Sequence, residues 1–119
     1  MATKELIQEL TMQLDSDLLE YGWILSEARE MGAADASLPL TQVVYGAVVK
    51  LLSDGVAEIG DARVVGGTTE PFSGKFEFYP WPGSVEEQKL RLKRVLEHFG
   101  ERPGPGEGFW LAKRAVPTG

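Results

Sequence analysis

The chain has 119 residues with 43% hydrophobic and 25% charged residues, an ordinary mixture for one globular domain and not that of a disordered segment. It has no cysteine, which excludes a disulfide framework, a thiolate nucleophile and a cysteine-based zinc site. The formal net charge of −6 is unevenly placed, at −7 over residues 1–60 and +1 over residues 61–119. An acidic chain repels nucleic acid at long range.

Met1 to Leu10 has no signal-peptide anatomy, and no apolar run approaches the roughly 20 residues of a membrane span. The expectation is a cytoplasmic protein without membrane contact. Thr3 to Leu14 reads as a first helix, with Leu6, Ile7, Leu10 and Leu14 on one side. This helix (residues 1–15) of a single domain is expected either to cover the core or to lie at the periphery, in a dimer contact with a second chain. Asp17 followed by Glu20 resembles a capping box, so a second helix is expected from Leu18 to Met31, with Gly32 just beyond its end. The alternative is one continuous helix from Thr3 to Met31.

The central stretch is Leu40–Asp61. A third helix gathers Val44, Tyr45, Ala47, Val48, Leu51 and Leu52 on one broad face, and Gln42, Val43, Gly46, Lys50 and Ser53 on the other. It ends at Asp54-Gly55, Val56–Ile59 alternates as a strand, and Gly60-Asp61 reads as a turn. Val64-Val65 is either a strand remnant or part of a long loop. Lys75–Tyr79 alternates as a strand and stops at Pro80-Trp81-Pro82. Ser84 and Glu87 form a capping box for a helix running to Phe99 and ending at Gly100. Phe109–Ala112 is a short last strand, and residues 115–119 a frayed tail. The expected fold class is α+β and winged-helix-like: three N-terminal helices, a small antiparallel sheet and one further helix between strands.

No residue pattern demands catalysis. His98 is the single histidine, near a helix C-terminus where a cation suits the dipole, and no nucleophile motif accompanies it. Asp54, Glu58 and Asp61 lack the spacing of a calcium loop and read as cap and turn chemistry. Gly104–Gly108 lacks the Lys-Ser/Thr of a phosphate loop and leads into a strand. No cofactor and no metal is expected. The third helix occupies the place of a DNA-recognition helix, yet its outward face offers one cation, Lys50. That face, with Val43 and Gly46, is expected to make protein contacts. So is the fourth helix at Leu90, flanked by Arg91, Lys93 and Arg94, where a large apolar residue stands opposite the apolar stripe. Tyr79, Trp81 and Trp110 are the candidates for an aromatic pocket.

Gly60-Asp61, Pro80-Trp81 before a capped helix, and the glycine-spaced run into Trp110-Leu111 resemble small uncharacterised proteins of actinobacterial type. The likeness covers roughly Leu19 to Ala112. It implies company with regulatory or toxin–immunity genes and a protein that is not an enzyme, and carries no activity onto particular residues. The expectation is therefore a non-enzymatic protein acting through contacts with a protein partner or a second copy of itself. The alternatives are a winged-helix DNA-binding regulator and a small-molecule-binding domain near Trp81 and Trp110.

Overall fold

The computed structural model describes residues 2–31, 39–65, 75–104 and 107–114. Their order is α1 (Ala2–Leu14), β1 (Leu19–Glu20), α2 (Tyr21–Glu30), α3 (Leu40–Ser53), β2 (Ala57–Val65), β3 (Lys75–Pro80), α4 (Val85–Phe99) and β4 (Trp110–Lys113). The protein is α+β, with four helices and one four-stranded antiparallel sheet in the order β1-β4-β2-β3. Gly32, residues 105–106 of the Gly104–Gly108 run and residues 115–119, all given roles above, lie outside the described residues.

α3 is the centre of the helical layer and touches α1, α2, α4 and β2. It buries Leu40, Val43, Val44, Ala47, Val48, Leu51 and Leu52. Burial on several sides corrects the placement of Val43 on an outward face: it is 4% exposed, while Gln42, Gly46, Lys50 and Ser53 do face solvent. The helix ends where Asp54 caps it and Gly55 takes φ +71°, a conformation that costs glycine nothing. α1 is not peripheral. Leu6 and Leu10 are fully buried and Leu14 nearly so, in the same cluster as Val44, Ile59 and Leu111.

Two local expectations give way to strand pairing. α2 begins at Tyr21, not Leu18, because Leu19 and Glu20 pair with Leu111 and Trp110 of β4 and the Tyr21 amide donates to the Phe109 carbonyl. The Asp17–Glu20 pattern therefore does not start the helix: Glu20 stands at the N-cap with φ −90° and ψ 156° and makes no side-chain cap. Gly60-Asp61 is likewise not a turn. β2 runs straight through it, with Gly60 paired to Trp110 on one side and Pro80 on the other. Val64 and Val65 continue that strand opposite Phe76 and Lys75. Gly60 is required for a different reason: a Cβ there would lie 2.1 Å from the Tyr79 carbonyl oxygen.

The register sorts the sheet residues by face. Leu19, Ile59 and Leu111 align across three strands and are buried against the helices. Glu20, Trp110, Gly60 and Pro80 align on the opposite face. The start of α2 is locked to the end of α4. Tyr21 is fully buried, stacks on Phe109 with ring centroids 5.0 Å apart, and donates its hydroxyl to the Gly100 carbonyl at 2.5 Å.

Two stability predictions result. Gly60→Ala forces backbone apart from backbone and is expected to lower unfolding free energy by about 1–3 kcal/mol, read by denaturant titration. Burial, and secondarily the charge of Glu101, push the Tyr21 phenol up to about 12 from its ordinary 10.0. The folded state thus favours the neutral phenol. Its contribution is complete below pH 10 and is lost as pH rises from about 10 to about 12. Tyr21→Phe should flatten the stability curve in that window while losing about 1 kcal/mol of hydrogen bonding below it, measured by thermal melts across alkaline pH.

Candidate interaction face on helix α4

α4 is specified by its own sequence. Ser84 caps it, its hydroxyl oxygen accepting from the Glu87 amide at 3.3 Å, and Gly100 ends it with φ +58°. Leu92 and Leu96 are buried, and Val85, Val95 and Phe99 pack at the margin of the core. The opposite side carries Glu86, Glu87, Leu90, Arg94 and Glu97, all exposed. Leu90 is 61% exposed, one of three large apolar residues so placed among the described residues, with Met12 and Tyr79. Lys93 is exposed beside them, and neither it nor Arg94 forms an ion pair among the described residues.

The helix is held at a fixed rotation by Arg91. Its guanidinium lies over the Trp81 ring, 4.3 Å from the centroid, and reaches the Asp61 carboxylate at 3.7 Å. Gln88 adds a bond from its side-chain amide to the Trp81 carbonyl at 2.8 Å. The Trp81 amide in turn donates to the Ile59 carbonyl at 2.9 Å, extending the β2–β3 pairing. Arg91 is thus tied into the fold, whereas Leu90 and Arg94 stand clear of it. Glu86 and Glu87 join this surface, which the sequence marks on this helix at Leu90, Arg91, Lys93 and Arg94. A helical wheel centred on Leu90 would have found them, since they lie four and three residues before it.

The other sequence candidates are dispersed. On α3, Gly46 is exposed and Lys50 is paired to Asp54 at 3.3 Å, so that face offers one cation already neutralised by its neighbour. Tyr79, Trp81 and Trp110 do not converge. Trp81 is 3% exposed and belongs to the core, while the pairing of Trp110 with Gly60 puts it on the far face of the sheet. Tyr79 is exposed one residue before the end of β3, opposite Asp61, where its hydroxyl donates to Glu77 at 2.6 Å and Arg63 lies 5.8 Å from its ring. The bond to Glu77 holds the phenol protonated and raises its pKa. None of the three lines either cavity described here. One, about 470 Å³, lies between α3 and α4 and is bounded by Thr41, Gln42, Tyr45, Lys93, Leu96 and Glu97. The other, about 180 Å³, is bounded by Leu52, Ala57, Glu58, Pro80, Gly83, Val85, Gln88 and Arg114.

No catalytic constellation forms around the remaining candidates. His98 is exposed and packs edge-on against Phe99 at 4.7 Å. Asp54 and Asp61 are engaged by Lys50 and Arg91. Among the described residues no group of three histidine or carboxylate side chains is placed to hold a metal ion, and no helix is long and apolar enough to cross a membrane. Comparison with protein-family models, with curated proteins and with solved structures finds no match to this chain.

The buried Trp81 indole nitrogen has no hydrogen-bond partner. Burying such a donor costs about 1–3 kcal/mol, which offsets part of what the ring contributes. Trp81→Ala is therefore expected to destabilise by about 3–5 kcal/mol, and Trp81→Phe by less than half of that, because it removes the orphaned donor with the lost ring area. Urea unfolding of the two variants side by side measures the difference.

Proposed function

We propose that this protein is a non-enzymatic interaction protein, regulatory or immunity-like in kind, that acts through protein contacts made by the outward face of α4. One observation carries this: Leu90 is 61% exposed in mid-helix, among charged side chains, on a helix whose rotation is fixed by Arg91. A large apolar side chain held at the centre of a charged rim has the anatomy of a contact patch, with an anchor that loses water and a rim that stays wet. A helix already formed and anchored in the core needs little ordering on binding, which keeps the entropic cost low.

A second reading, a winged-helix regulator of DNA, is favoured by the chain order: β1 falls between α1 and α2, and the β2–β3 hairpin follows α3. The outward face of α3 argues against it, since Lys50 is its single cation and pairs with Asp54. So does a net charge of −6.

Affinity capture from the native cell with the full chain, against Leu90→Asp, tests the first reading. Specific partners should be retained by the wild type and lost at least tenfold by the variant, with both folded by circular dichroism. Retention of the same partners by Leu90→Asp would overturn it. An electrophoretic-shift assay on generic duplex DNA at low salt should show no complex. Tight binding that weakens steeply with salt would move the assignment to the second reading.

A further inference from the structure

The outward face of α4 has a polarity along its length. Glu86 and Glu87 lie four and three residues before Leu90, while Lys93 and Arg94 lie three and four residues after it. All five are exposed on this side of the helix. At ~1.5 Å rise per residue the two acidic positions sit about 4.5–6 Å to one side of Leu90 and the two basic positions the same distance to the other. A pattern that is acidic before and basic after a central apolar residue is complementary to itself when reversed.

We propose that α4 is the interface of a symmetric homodimer, in which two α4 helices pack antiparallel about a two-fold axis at Leu90. This names the partner of the contact face assigned above and rests on that assignment. In this arrangement Leu90 meets Leu90 of the second copy, Glu86 lies level with Arg94 of the second copy, and Glu87 with Lys93. The two-fold axis repeats each pair, so four oppositely charged pairs surround one apolar contact. Neither Lys93 nor Arg94 has an ion-pair partner among the described residues, so both are free to turn outward. Glu86 is shared with Lys89, to which it is bonded at 2.9 Å on the exposed helix surface. Glu97, the remaining carboxylate on this side, falls level with Gly83 of the second copy and meets no like charge there.

Other arrangements satisfy fewer groups. Parallel packing of the same helices places Glu86 against Glu86 and Arg94 against Arg94. The acidic N-terminal half of the chain would repel its own copy, whereas on the α4 face from Glu86 to Arg94 the charge changes sign once, at Leu90. A single helix pair is small beside specific interfaces of ~1,200–2,000 Å², so the dimer is a concentration-dependent one and not an obligate one.

Charge reversal tests the register. Sedimentation velocity of the full chain, from micromolar to millimolar concentration, should show a shift from the 13.0 kDa monomer towards twice that mass. Glu86→Arg alone and Arg94→Glu alone should each weaken association at least tenfold by placing like charges together. The double variant E86R/R94E should recover it, because each reversed residue then faces its reversed partner. Circular dichroism checks folding of each. As an independent measurement, Leu90→Cys in this cysteine-free chain should cross-link to a disulfide dimer several-fold faster than Met12→Cys, which is exposed on α1. A wild type that stays monomeric throughout overturns the dimer, as do single reversals without effect, a double variant that fails to recover, or equal cross-linking rates. A monomeric wild type that still captures another protein through Leu90 would sink the dimer alone. Loss of Leu90-dependent contacts of every kind would sink the assignment of the face as well.

Discussion

The whole arrangement depends on the burial of α3 on more than one side. Seven of its fourteen residues are buried, and they are contacted by α1, α2, α4 and β2. Each fully buried Val or Leu contributes on the order of 1.5–3 kcal/mol, so this one helix supplies a large share of what opposes chain entropy in so small a domain. Its neighbours are placed by it. α1 and α2 lie on it, α4 lies against it, and the sheet closes the core through Ile59, Leu111 and Leu19. A helix used in this way has little surface left for recognition, and what remains at Gln42, Gly46, Lys50 and Ser53 is narrow and nearly uncharged.

With α3 spent on the core, the exposed side of α4 becomes the most distinctive surface. Its position follows from contacts on both flanks. Leu92 and Leu96 anchor it inward, and Arg91 bridges the Trp81 ring and the Asp61 carboxylate. That bridge links the helix to β2 and to the residue just after β3. Because Arg91 and Asp61 are each about half exposed, the ion pair itself contributes little. The guanidinium over the indole face adds cation–π attraction and covers apolar surface. The consequence is orientational: Leu90, the residue before Arg91, is held pointing away from the core.

The elements legible in the sequence were those set by local chemistry. Ser84 with Glu87, Asp54 with Gly55, and the alternation of Lys75–Tyr79 each carry their instruction within a few residues. What the sequence hid was set by partners far along the chain. Leu19-Glu20 look like the start of a helix, and only β4, some ninety residues later, recruits them into a strand. Gly60-Asp61 look like a turn because glycine beside aspartate usually makes one. Here the missing Cβ instead admits the Tyr79 carbonyl. Val43 lies off the main apolar stripe, and its burial requires knowing that α3 is covered from several directions. The separation of Trp81 from Trp110 likewise needed the β4 register, which no local pattern contains. The α4 face was partly legible: Leu90 stands out on any wheel, but its acidic and basic neighbours acquire meaning only once the helix is known to be exposed on that side.

Compensation of the helix dipole accounts for part of the charge order on α4, and the homodimer proposed above would account for the rest. Acidic residues in a first turn and basic residues later compensate the helix dipole, so Glu86, Glu87 and His98 stabilise the isolated element whatever it touches. The dipole effect fades within a turn of each end, and Lys93 and Arg94 lie mid-helix, more than a turn from the C-terminus at Phe99. It gives no reason for an exposed leucine at the midpoint. An arrangement that needs Leu90 in the centre, acids on one side and bases on the other at equal distances is the antiparallel pairing of the helix with itself. In the proposed dimer the dipole-compensating acids supply one half of each charged pair, and the central leucine with two mid-helix cations supplies the rest.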